Sequence, residues 1–269
     1  MSRTASQSTL SRLLRQGSVY ALGNLLLKAS GLLLAPLYLN TTLLPQAAYG
    51  YLVLLEATAQ LLLPLLGLGL TTGLLKFATD PALCDRQEAV PFTVLSVSLG
   101  VALLVLGLSW LVAPRLGTLL GWTDGEIILR LFGGYLAAKL LSSVPLAFLR
   151  LRERAALYTT AILLETALLI GGVYYFLAHA QLGLRGVVQA MALASGSSAL
   201  VLVGGMLRVV PRRWDPHLVG ALMRFGLPLA LAGVALPVLH VGDRYLLGWL
   251  ADPETVAVYG WAARLSGVL

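Results

Sequence analysis

The chain of 269 residues is 58% hydrophobic and only 12% charged, with a mean hydropathy of +0.85. Soluble domains carry about 25% charged residues, so the composition excludes an ordinary soluble globule and points to helices in lipid. One cysteine, Cys84, excludes an intrachain disulfide and a thiolate metal cluster, while the net charge of +7 would suit nucleic acid or, in a membrane protein, report topology.

Residues 1–16 are polar and carry Arg3, Arg12 and Arg15. The apolar run that follows is too long for a signal-peptide core and lacks a small-residue cleavage site. It reads as an uncleaved first span behind a cytoplasmic basic leader. Crossing a bilayer takes about 20 residues of helix, and seven runs reach that length: Val19–Leu39, Tyr51–Leu74, Pro91–Val112, Ile127–Leu149, Ala156–Leu177, Gly186–Leu207 and Phe225–Leu250. An eighth opens near Val256, with too few residues left to cross. The spacing therefore predicts an all-α, polytopic membrane protein.

Alternate loops divide the charge. The leader and the loops after spans two, four and six hold Arg3, Arg12, Arg15, Lys76, Arg86, Arg150, Arg152, Arg154, Arg208, Arg212 and Arg213. The opposite loops hold only Arg115 and Arg185. By the positive-inside rule the N-terminus is cytoplasmic, and the basic excess needs no nucleic acid. Trp110, Trp122, Trp214, Trp249 and Trp261 fall at predicted span ends or in loops, as interfacial aromatics do. Small residues punctuate the spans at Gly67, Gly69 and Gly73, Gly133 and Gly134, Gly171 and Gly172, Ala194–Ala199, and Gly204 and Gly205, suggesting close helix approach. Gly67-x-Gly69 lies inside an apolar run without a following Lys-Ser/Thr, so it does not read as a phosphate loop.

The chain also repeats itself. Arg15/Gly17 and Arg224/Gly226 are separated by 209 residues, and Tyr49-Gly50 and Tyr259-Gly260 by 210. Six spans return the chain to the side it started from, so the second copy has the orientation of the first, a parallel repeat. This predicts a leader over 1–16, a first six-helix bundle over 17–207, a cytoplasmic linker over 208–223 centred on the proline-broken Val210–His217, and the start of a second bundle over 224–269.

Ionisable groups deep in a bilayer are costly and are functional-site candidates by default. They are Lys28, Glu56, Lys139, Glu165, Asp243 and Arg244. Lys139 and Glu165 each lie 13 residues from Arg152, hence at similar depth on neighbouring helices. Counted from Leu44, Lys28 and Glu56 differ in depth by roughly 6 Å, within reach of long side chains. Either these are structural ion pairs that avoid isolated charge, or they line a water-filled cavity for an anionic substrate and a coupling ion, H+ or Na+. Lys28 is the strongest single candidate for the cavity. Asp243 and Arg244 are adjacent, so on a helix they face different partners. Enzyme signatures are poor. His179, His217 and His240 are scattered, and no nucleophile elbow, acidic metal cluster or phosphate loop is present. No catalytic residue, cofactor or metal is expected.

Four stretches carry a family resemblance: R-Q-G-S-V-Y-A-L-G-N, L-L-P-Q-A-A-Y-G-Y, L-L-G-L-G-L-T-T-G-L-L-K-F, and F-G-L-P-L-A-L-A-G…D-R-Y-L-L-G…V-A-V-Y-G-W-A-A-R-L. Together they make the chain resemble the polysaccharide-biosynthesis flippases, exporters of lipid-linked O-antigen and exopolysaccharide precursors in the MATE-like superfamily. Lys76, Asp243-Arg244 and Tyr259-Gly260 match the family pattern. The resemblance implies a MATE-like six-helix bundle followed by the first one or two helices of a second. It further implies translocation of an undecaprenyl-type lipid-linked glycan across the bacterial inner membrane by alternating access, beside glycan polymerase or glycosyltransferase machinery. The alternatives are a MATE-type drug/cation antiporter, which would favour an acidic cavity, a membrane enzyme, for which every loop is too short, and a non-transporting truncated membrane protein.

Overall fold

The computed structural model describes residues 33–81, 86–122 and 124–266. Most of the expected first span, including Lys28, lies outside the described residues, as do Arg15 and Gly17 before it and Cys84. Every regular element that is described is helical. In chain order these are α1 (Ala35–Leu39), α2 (Gln46–Leu66), α3 (Leu70–Phe77), a 3-10 turn (Gln87–Ala89), α4 (Val90–Leu120), α5 (Gly125–Leu151), α6 (Ala155–Tyr174), a π-helical turn (Tyr175–His179), α7 (Gly183–Leu207), α8 (Pro216–Leu250) and α9 (Pro253–Ser266). Among them are six stretches long and apolar enough to cross a membrane: Gln46–Phe77, Gln87–Leu119, Gly125–Leu151, Ala155–His179, Gly183–Leu207 and Pro216–Leu250. They correspond to predicted spans two to seven.

Proline and glycine explain most of the boundaries. Predicted span two is two helices, because Leu68 and Gly69 take left-handed backbone (φ 48° and 63°) between α2 and α3. That conformation is cheap for glycine and costs a leucine about 1 kcal/mol. Segment Pro216–Met223, expected as linker, is instead the first two turns of α8. Pro216 supplies a preset φ at the first helical position, and the Asp215 carboxylate accepts from the His217 amide at 2.9 Å. Only residues 208–215 separate α7 from α8. Helix α9 begins three residues before Val256, with the Asp252 carboxylate accepting from the amide and hydroxyl of Thr255.

Helix α5 is the hub of the first helices: α4 and α7 pack along it, and α6 leans on α7 and touches α5 far less. Helix α2 joins this group to α8 and α9. Two apolar clusters form. One, around Leu44, Tyr49, Leu136 and Val187, holds the end where α4 meets α5. The other, around Leu74, Val94, Phe148 and Leu222, holds the end where α5 meets α6. The basic loops converge at this second end. There Arg86 pairs with Asp215 at 3.4 Å and Arg213 with Glu88 at 3.1 Å, fastening segment 208–215 to the start of α4.

Close approach through glycine is real but selective. A Cβ on Gly69, Gly73, Gly133 or Gly172 would meet a neighbouring helix within 3.1 Å, whereas Gly134, Gly171, Gly204 and Gly205 face open space. The tightest approaches involve the repeat itself. A Cβ on Gly226 would lie 2.1 Å from the Leu68 carbonyl oxygen, and one on Gly50 1.9 Å from that of Pro253. Gly226→Ala is therefore expected to cost about 1–3 kcal/mol through overpacking of backbone on backbone. Thermal unfolding in detergent checks this, and an unchanged midpoint would contradict the packing described.

Aromatic placement departs from expectation at two positions. Helix α4 runs to Leu120, so Trp110 lies nearly three turns inside it, with its ring under the Arg130 guanidinium at 4.7 Å. Trp261 stacks on Tyr49 at 5.4 Å in the α2/α9 interface.

Candidate functional site

Between the two apolar clusters, a cleft opens where α2 and α3 face α5 and α8. Its volume is about 690 Å³, and its walls include Pro64, Thr72, Lys139, Ser143, Leu229 and Gly233. A second recess of about 850 Å³ continues from Leu63 and Pro64 toward Gln60, His240, Asp243, Arg244 and Tyr259. Both volumes fall within the range of about 300–1,000 Å³ usual for ligand sites.

Prolines shape these walls. Proline removes the helical donor to the carbonyl four residues earlier. Pro64 and Pro237 so release the carbonyls of Gln60 and Gly233, and both of these residues line the recesses. Ser142 and Ser143 bond back to the carbonyls of Lys139 and Leu140 at 3.2 and 2.6 Å. Interrupted helices at membrane depth are tolerated where they line a cavity. Reading the sequence for charge alone overlooked this, although prolines inside apolar runs were visible signals.

Of the six candidate residues, five are described. Lys139 Nζ lies 2.6 Å from Glu165 Oε1, joining α5 to α6 as depth counting suggested. Lys139 also lines the cleft, while Glu165, 13% exposed, does not. Glu56 pairs with Arg264 of α9, a partner the depth argument did not consider. The Arg264 guanidinium also sits 5.5 Å from the rings of both Tyr38 and Tyr49. The repeat offers a route to it: shifting Arg264 back by 210 places it at Leu54, within one turn of Glu56. Lys28, the partner first expected for Glu56, lies outside the described residues.

Asp243 and Arg244 diverge, as neighbours on a helix must. The Tyr259 hydroxyl donates to Asp243, whose other oxygen accepts from the Arg244 backbone amide at 2.8 Å. The Arg244 side chain makes no ion pair among the described residues, and its buried Nε has no hydrogen-bond partner. Asp243 is thus held by hydrogen bonds, while Arg244 beside it lines the recess with neither an ion pair among the described residues nor a partner for its buried Nε. Alongside, the hydroxyls of Thr58 and Tyr245 meet at 2.7 Å, tying α2 to α8.

The sequence model of a family described as "Polysaccharide biosynthesis protein" matches residues 13–269. No curated protein sequence matches the chain. Among solved structures, it is similar to a MATE transporter crystallised with Br-NRF, at a TM-score of 0.70 and 18% identity over 96% of this chain and 62% of that one. A multidrug resistance MATE family transporter of the MOP superfamily in an inward-facing conformation gives 0.67 and 16%, over 91% and 58%. A MOP superfamily transporter from Pyrococcus furiosus, whose binding pocket is described as reversed in polarity, gives 0.56 and 17%, over 96% and 62%. The chain spans less than two-thirds of the length of each. At these identities the likeness shows the fold, which is MATE-like, in a multi-pass membrane protein.

Proposed function

Because the chain belongs to the polysaccharide biosynthesis protein family, we propose that it takes part in flipping a lipid-linked glycan precursor across the bacterial inner membrane by alternating access. One observation supports the anionic substrate above all: Arg244 lines the recess with no ion pair among the described residues, while Glu56 and Glu165 pair with cations and Asp243 accepts hydrogen bonds. Positioned cations suit a pyrophosphate linkage, since charge-assisted hydrogen bonds to phosphate are the stronger kind. A drug/cation antiporter would instead need free carboxylates there.

On this reading the basic end that holds Lys76, Arg152 and Arg213 faces the cytoplasm by the positive-inside rule, so the N-terminus does too. Helices up to α7 belong to a first bundle and α8 and α9 open a second of parallel orientation. The substrate is of the undecaprenyl-type class, delivered by glycosyltransferases and passed to polymerases. The protein acts as a transporter, not an enzyme.

Reconstitution in proteoliposomes with a fluorescent polyprenyl-pyrophosphoryl sugar tests this. The wild-type chain is expected to move the probe between leaflets, and Arg244→Gln to slow it roughly tenfold or more, the loss of one charged hydrogen bond. Proton-driven uptake of a cationic dye without movement of the glycan lipid would favour the antiporter and sink the proposal.

A further inference from the structure

A separate groove lies away from the cleft, on the outer side of α5, α6 and α7. It encloses about 390 Å³, and its walls include Phe148 of α5, Leu157 and Leu164 of α6, and Met206 of α7. It exists because α6 rests on α7 and diverges from α5. At its mouth stand Arg152 and Arg154, both exposed and neither in an ion pair among the described residues. The Arg152 guanidinium lies 5.2 Å from the Phe148 ring, a cation capping the apolar floor.

We infer that this groove is a binding site for an anionic membrane phospholipid, its phosphate on Arg152 and Arg154 and one acyl chain between α6 and α7. The dimensions fit a single leaflet. From Arg154 to Leu164 is ten residues of helix, roughly 15 Å, half of a hydrocarbon core about 30 Å thick. The charge fits an anion. Residues 150–154 hold three arginines against Glu153, and Arg150 is turned to the Tyr158 ring at 5.6 Å. The first 55 residues contain no Asp or Glu, so the N-terminal stretch supplies no carboxylate to satisfy the arginines. Basic pockets between helices at a membrane face select anionic headgroups. This site is independent of the substrate cleft, and its failure would leave the flippase proposal untouched.

Native mass spectrometry of the whole detergent-solubilised chain provides the test, with phosphatidylglycerol, phosphatidylcholine and glycerol phosphate as probes. The chain is expected to retain one phosphatidylglycerol, at least tenfold more tightly than phosphatidylcholine. Arg152→Gln with Arg154→Gln should abolish the preference while weak binding of either lipid persists. Ala161→Trp, which fills the groove, should remove both lipids, with thermal unfolding confirming that the variant is folded. A preference unaffected by the arginine pair would overturn the assignment. So would displacement by glycerol phosphate at lipid concentrations, which would mark a soluble-phosphate site. Cross-linking of the groove to residues 1–32 or to a second copy of the chain would overturn it too.

Discussion

Arg264→Ala is expected to lower the unfolding midpoint of the detergent-solubilised chain by roughly 6–12 °C, from a loss of about 3 kcal/mol. The substitution leaves Glu56, 28% exposed, as a half-buried carboxylate without its cation. It also removes the guanidinium held against Tyr38 and Tyr49. Removing one member of a buried pair costs more than the pair contributes, because the survivor stays desolvated. The double variant Glu56→Ala/Arg264→Ala should therefore lose less than the two single losses added together. Arg264→Lys should fall between, retaining charge but not a planar group to stack. Strict additivity in this cycle would show that the contact between α2 and α9 is not energetically coupled.

Lys139→Ala is expected to destabilise the chain by a similar amount, about 3 kcal/mol, since Glu165 is only 13% exposed. The charge swap Lys139→Glu/Glu165→Lys separates stability from function. It keeps an ion pair between α5 and α6, so most of the unfolding midpoint should return. It also places a carboxylate where Lys139 borders the cleft. If the cleft takes an anionic glycan lipid, translocation should stay at least tenfold down in the swapped protein despite its restored stability. Recovery of both would show Lys139 to be a structural ion-pair residue alone.

These two pairs differ in how far the sequence foretold them. Lys139 and Glu165 sit equally far from one tight turn, and antiparallel neighbours at 1.5 Å rise per residue come to equal depth. That argument needs only a local hairpin, and it led to the right contact. Glu56 is different because its partner Arg264 is 208 residues away, on a helix that no hairpin connects to α2. Only the crossing of α2 and α9 at Gly50 and Gly260 sets that proximity. The repeat hinted at it by matching the two Tyr-Gly pairs, yet a repeat gives correspondence, not contact.

The sequence by itself determined the class of the molecule, the order of the six long helices described, the gathering of the basic loops at one end and its family. Each follows from one-dimensional quantities: apolar length against bilayer thickness, the alternation of basic loops, and motif order. Tertiary structure alone decided that Pro216–Met223 is helix, that Trp261 is packed against Tyr49, and which glycines meet a neighbour. It alone placed Arg244, with no ion pair among the described residues, at a recess beside Pro64. The physical reason is that apolar helices are nearly uniform around their circumference, as the membrane solvates every face alike. Which face turns inward is then set by close packing at small residues and by the pairing of rare charges, and both depend on where two distant helices cross.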